Sequence, residues 1–198
     1  MEDKGTTSLL WAFTGIISLI VALTIIAACW ILNPWFDFWR DAFSDFGVAR
    51  ACCPWLYNWG LISSAIFLLA FSLFICKVSS NRIEAFSSGL SFTSSIFLAL
   101  IGIFPGGTRP HTFVSTWFFV QAFMALAALG IGLFLKGDRA RGILVSCLSG
   151  SAPFLGLLVE AIHGWPSAAV AETAGIVVIG ISLISVTSHY LKVLRDKR

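Results

Sequence analysis

Four residues of this chain, Ser44, Asp45, His111 and Ser115, could together carry a reaction. A carboxylate that orients an imidazole makes a general base, which acts on an ester directly or through a serine hydroxyl. Asp45 is the candidate orienting acid, His111 the base, and Ser44 or Ser115 the hydroxyl. His111 and Ser115 are four residues apart, which places them on one helical face. Asp37, Arg40, Asp41, Asn58, Arg109, Glu160, His163 and Glu172 form a candidate ligand-binding set, in which Arg40 or Arg109 is suited to hold a phosphate. Each has a plainer reading. Acidic residues form solvated faces, carboxylates at helix ends snorkel, and Glu172 near a helix start gains from the helix dipole. Of the three histidines only His111 and His163 belong to this set, so it cannot build a three-histidine zinc site, and a mixed site of these two with carboxylates is the alternative. No metal and no cofactor is expected.

The elements that must position these residues are membrane helices. Of 198 residues, 58% are hydrophobic and 12% charged, with a mean hydropathy of +0.90. A soluble domain carries about a quarter charged residues, so lipid is the solvent for most of this chain. A bilayer core about 30 Å thick needs about 20 apolar residues per helix. Six runs without Lys or Arg meet that length, at about 9–32, 56–76, 84–104, 112–135, 142–162 and 169–191. The expected fold is all-α: a polytopic membrane protein with a six-transmembrane-helix bundle, a single transmembrane domain over 1–198. Pro153 removes a backbone hydrogen bond from the fifth run, and a kink there opens space beneath a site.

Charge sets the orientation. Ten of the thirteen Lys and Arg residues fall in the amino-terminal segment, the 77–83 and 136–141 connections and the carboxy-terminal tail. Arg40, Arg50 and Arg109 are on the other side. The positive-inside rule then predicts a cell-membrane protein with both termini cytoplasmic. Asp37, Asp41, Asp45, Glu160 and Glu172, half of the acidic residues, face outward together with His111 and His163. A site therefore opens outward, while the inner side carries basic residues suited to anionic headgroups and His189 near its boundary.

Cys29, Cys76 and Cys147 lie in apolar runs, where cysteine serves as a small hydrophobe. Cys52 and Cys53 are adjacent; in an oxidising compartment, pairing with each other or with a partner is the alternative to free thiols. Ile26-Ala27-Ala28-Cys29 weakly resembles a lipoprotein processing box, but the apolar run continues through Trp30-Ile31-Leu32, which keeps the first run a span.

The segment "NPWFDFWRDAFSDFGVARACCPWLYN", residues 33–58, is where the chain turns aromatic and charged at once. Asp37, Asp41 and Asp45 are spaced by four, one stripe of a helix, and Phe36, Trp39, Phe43 and Phe46 make an opposing apolar stripe. Pro34 suits a helix entrance and Gly47 an exit. This spacing predicts a short amphipathic interfacial helix over about 35–46, with Arg40 as internal partner of its acidic face. A passive solvated loop and the lip of a concave site are both compatible with it.

Four motifs in order carry a resemblance: "SDFG" after the first run, "YNWGLI" opening the second, "GIFPGG" ending the third and "HTFVSTWFF" opening the fourth. Together they resemble the family called domain of unknown function 998, multi-pass prokaryotic membrane proteins, over most of the chain. Ser44, Asp45, Gly47, Asn58, Gly60, Gly102, Pro105, His111 and Ser115 carry the match. The resemblance implies a membrane fold and no established reaction. More distantly, an outer Ser-Asp-Gly loop with a later histidine is similar to the Frag1/DRAM/Sfk1 family, some of whose members act in lipid remodelling.

Three functions fit these residues. The first is an outward-facing polar pocket that binds a lipid headgroup and, in an enzymatic version, acts on it as a hydrolase or transferase. The second is a structural partner of another membrane protein or of a second copy, through the Gly- and Ser-rich third run. The third is a small-solute or proton-coupled transporter using Glu160 and Glu172, against which stands the absence of an inverted repeat. Membrane lipids are the expected partners, and nothing points to nucleic acid.

Overall fold

The structure, a computed structural model, describes residues 10–196. Six long α-helices follow one another: α1 Thr14–Leu32, α2 Pro54–Val78, α3 Arg82–Ile103, α4 His111–Leu135, α5 Arg139–Ile162 and α6 Ala168–Arg195. All six are long and apolar enough to cross a membrane, where each backbone amide must be satisfied within its own helix. Among the described residues there is no strand. Lys4, Lys197 and Arg198 of the basic count, and the expected start of the first run at residue 9, lie outside the described residues.

The helix ends are set by local chemistry. Pro54 occupies the first turn of α2, where its missing N–H costs nothing. Asn81, Asp138 and Ser167 cap α3, α5 and α6 by accepting backbone N–H groups. Gly137, at φ 95°, makes the turn from α4 to α5 in a conformation that side chains resist. The helices alternate in direction. The 33–53, 104–110 and 163–167 connections therefore form one end, the lip, and the 79–81 and 136–138 connections form the other, the base.

In sequence order, α1 packs on α2, α2 on α3, α3 on α4 and α4 on α5, while α6 closes the bundle with thinner contacts to α5, α4 and α1. In its most apolar stretch α4 is 56% buried and α5 only 17%. So α4 is the axial helix and α5 a peripheral one, with Phe154, Leu157 and Ile162 exposed toward lipid. Because lipid removes the hydrophobic drive between helices, small residues and hydroxyls hold them together. Ser18 and Ser64 exchange hydrogen bonds between α1 and α2. Ser87 and Ser94 of α3 donate to the Ala125 and Phe118 carbonyls of α4, and Ser149 meets Ser182 between α5 and α6. Much of the serine-rich face of α3 is thus used inside the bundle. Pro153 lies within a continuous α5.

The lip departs from the sequence expectation. Residues 35–46 do not form an amphipathic helix; the 33–53 segment is a chain of turns with one 3-10 helix, Phe43–Gly47. Its carboxylates and amide take the backbone donors that a helix would use. Asp41 accepts from the Asp37 N–H, Asp37 from Trp39, Asp45 from Ala42 and Asn33 from Cys52. This local competition is why Asp and Asn favour turns over helix interiors. The apolar residues do not make an outward stripe either. Phe36, Phe43 and Phe46 are buried and pack on one another and on Tyr57 of α2, while Trp39 remains exposed. The Asp41 carbonyl accepts from Ala169 N–H and Phe38 from the Ser167 hydroxyl, which ties the lip to the start of α6.

Candidate functional site

Beneath the lip lies a cavity of about 100 Å³ between α1, α2, α3, α4 and α6. Phe43 of the lip forms part of its wall, and Leu19, Leu61, Leu98 and Ile179 line it. Its polar contributors are Glu172, His111, Ser115, Tyr57, Ser18 and Ser64. The Ser18–Ser64 pair already satisfies its own hydroxyls. Towards the lip, the polar groups are Glu172, His111, Ser115 and Tyr57.

Glu172 and His111 are held in different ways. Glu172 accepts the Phe43 N–H on Oε2 at 2.9 Å, its one hydrogen bond among the described residues. His111 Nδ1 stands 2.8 Å from the Phe104 carbonyl oxygen. A carbonyl only accepts, so Nδ1 carries the proton, and in the neutral ring Nε2 is left as an acceptor. The Ser115 hydroxyl donates to the Thr112 carbonyl. The cavity thus holds a carboxylate and an imidazole and, among the described residues, no Lys or Arg.

The remaining candidates are placed elsewhere. Asp45 accepts from Ala42 N–H and pairs with Arg50 at 3.2 Å, its side chain 27% exposed. The Asp45–His111 relay is therefore not what positions the imidazole; the Phe104 carbonyl does. Arg50 also reaches Asp41 at 4.0 Å and lies over the Trp35 ring. Arg50 is the lip's central cation. Arg40, expected as internal partner of the acidic stripe, does pair with one of its members, Asp37, loosely at 3.5 Å and with its side chain 83% exposed. Arg109 and His163 are exposed, and neither lines the cavity. Ser44 is buried with its backbone against Gly106, outside the cavity.

Asn58 donates to the Gly47 carbonyl, and its Oδ1 is buried without a partner. A Cβ at Gly47 or Gly102 would collide with Asn58, so these two glycines are what let α2 approach the lip and α3. Cys52 and Cys53 are free thiols with sulfurs 3.5 Å apart. Glu160 accepts from Trp165 N–H and lines a separate groove, of about 630 Å³, between α4, α5 and α6. Pro153 lines that groove too and does not line the cavity. Among the described residues no three His, Cys, Asp or Glu side chains come together to hold a metal ion.

The base holds the polar cluster that sequence reasoning missed. Glu84 is 0% exposed, yet it is paired with Lys136 at 2.6 Å, accepts from Tyr190 at 2.9 Å and accepts from Ser80 N–H at 2.8 Å. Lys136 also lies over the Tyr190 ring. Beside it, Asp138 binds His189 Nδ1 and Arg141, each at 2.7 Å. Burial opposes charge on Asp138, but the hydrogen bonds from His189 and Arg141 outweigh it and hold the carboxyl below the usual range. The one sequence signal was Asn81 three residues before Glu84, the spacing of a capping box.

Six spans around an internal cavity define an integral, polytopic membrane protein. The chain belongs to the family described as protein of unknown function (DUF998), whose model matches residues 16–189. The match bears on that resemblance alone, not on the likeness to Frag1/DRAM/Sfk1. No curated protein and no solved structure matches the chain.

Proposed function

We propose that this protein binds a lipid headgroup in the cavity beneath the lip. The observation that supports the reading is the cavity's polarity: apolar walls, with Glu172, His111 and Ser115 gathered toward one end. A pocket with mostly apolar lining and a few convergent polar groups is the usual form of a small-ligand site. Glu172 and His111 receive the headgroup, and Phe43 closes over it. The enzymatic version rests on His111 as base with Ser115 nearby; Asp45, engaged by Arg50, has no part in it. The basic residues at the base, Lys77, Arg82, Lys136, Arg139, Arg141, Lys192 and Arg195 among them, support a cell-membrane orientation in which the lip faces outward.

Native mass spectrometry of the purified protein tests the reading. Tightly held lipid falls in Glu172→Gln and His111→Ala and is unchanged in Asp37→Asn, which lies outside the cavity. Equal retention in all four proteins would sink it. A reporter active only in the cytoplasm, fused after Arg198, gives signal if the orientation is right; a silent, stably expressed fusion reverses it.

A further inference from the structure

The groove between α4, α5 and α6 and the cavity beneath the lip are separate spaces, yet they share a wall. Phe119 of α4 lines both. Its ring rests on α6 at Gly175, where an added Cβ would stand 2.6 Å from Phe119 Cε1. The partition is therefore one aromatic ring lying on bare helix backbone. A phenylalanine changes rotamer without breaking a backbone hydrogen bond. Glu172 is one helical turn from Gly175 on the same helix and lies on the cavity side.

The groove faces the bilayer. Leu155, Leu157 and Val159 of its lining are all exposed, and at about 630 Å³ it has room for hydrocarbon. The cavity, at about 100 Å³, has room for a head of a few heavy atoms only. Acyl chains in the groove with the head beyond Phe119 is the arrangement these sizes allow.

Charge then selects the head. Among the described residues Glu172 is the one carboxylate lining the cavity, and no Lys or Arg lines it. With Nδ1 committed to Phe104, His111 offers a second acceptor in its neutral ring. Two acceptors call for donors, and a primary ammonium has three. A phosphate or carboxylate entering the cavity would find no Lys or Arg of the lining to pair with, and a trimethylammonium head has no N–H to give.

We propose that the groove and cavity form one lateral binding path for a lipid whose head ends in a primary amine, with Phe119 as the movable partition. This rests on the reading that the cavity receives a headgroup.

The test uses the full chain in nanodiscs that contain dioleoyl phosphatidylethanolamine, phosphatidylcholine and phosphatidylglycerol in equal amounts. Native mass spectrometry reads the retained lipid and its exchange against isotope-labelled lipid. The parent retains the ethanolamine lipid over the choline lipid by about tenfold or more, and Glu172→Gln abolishes the preference. Phe119→Ala keeps the preference but exchanges lipid at least about fivefold faster, an effect of about 1 kcal/mol on the barrier. Phe119→Leu, which keeps an apolar wall, gives a smaller change in the same direction and covers the case in which the alanine variant fails to fold.

Retention without preference, or preference for the glycerol lipid, overturns the amine assignment and leaves the headgroup reading standing. Unchanged exchange in both Phe119 variants overturns the partition. Displacement of bound lipid by millimolar free ethanolamine overturns the lipid as the source of the amine. A parent that holds no lipid sensitive to Glu172→Gln or His111→Ala overturns the headgroup reading itself, and this proposal with it.

Discussion

Glu84 and Glu172 are both carboxylates set near the first turn of a membrane helix, and the fold treats them in opposite ways. At the base, Glu84 is closed off completely and meets an ammonium, a phenol and a backbone N–H. Under the lip, Glu172 meets one backbone N–H and otherwise faces a cavity. A buried charge whose lone pairs are engaged ties helices together, here α3, the end of α4 and α6. A carboxylate with one protein partner beside an open space keeps lone pairs that the described residues do not engage, which is the feature the proposed function rests on. An ionisable residue in a membrane span is exceptional wherever it falls, yet in the sequence Glu172 stood out and Glu84 did not; the count of partners separates the clasp from the candidate receptor.

The largest expected effect tests that separation directly. Glu84→Gln leaves Lys136 without its counter-ion and should cost about 3 kcal/mol, since breaking a buried pair from one side strands a charge. Thermal melts in detergent would show it, and the double variant Glu84→Gln with Lys136→Met should recover about half of the loss. Glu172→Gln should cost less than about 1 kcal/mol, because the carboxyl has a single backbone partner that an amide oxygen can also accept from. Equal losses at Glu84 and Glu172 would break the comparison.

A middle-sized effect belongs to Asp138. Its carboxyl is held below the usual range by His189 and Arg141, against the opposing effect of burial. A depressed folded value means that the unfolded chain binds the proton more readily. The stability it contributes is full above the ordinary carboxylate range and lost as pH falls through the lowered folded value. Asp138→Asn should therefore cost about 1–2 kcal/mol near pH 7, and the gap to the parent should begin to narrow below about pH 4 and go on narrowing as the pH falls further. A gap at about pH 3 as large as at about pH 7 would remove the ion pair as its cause.

The smallest effect concerns the lip's own charges. Asp45 is part-buried and paired with Arg50, whereas Asp37 is half-exposed and paired loosely with a largely exposed Arg40. Asp45→Asn should cost about 0.5–1 kcal/mol, discounted because Arg50 is itself largely solvated. Asp37→Asn should stay under about 0.5 kcal/mol. Raising salt to about 0.5 M should shrink the Asp45 effect, since exposed pairs are screened. Melts of both variants at two salt concentrations decide it, and equal effects at both positions would make the lip a uniform solvated surface.

Much of the architecture lay in the sequence itself. Hydropathy and run length placed six membrane helices, because in lipid each helix must satisfy its backbone alone and the signal is local to each run. The i, i+4 spacing put His111 and Ser115 on one face, and both line the cavity. Local periodicity failed at 35–46, where helical spacing was real but Asp37, Asp41, Asp45 and Asn33 could bond nearby N–H groups instead, and where Phe36, Phe43 and Phe46 gained more by turning inward on Tyr57. What only the tertiary structure decided was partnership across the chain: Arg50 rather than Arg40 for Asp45, Phe104 rather than Asp45 for His111, and Lys136 with Tyr190 for Glu84. The Tyr190–Glu84 bond joins residues 106 positions apart. No periodicity encodes a contact of that kind, because it exists only once separate helices have packed and excluded water from the charge between them.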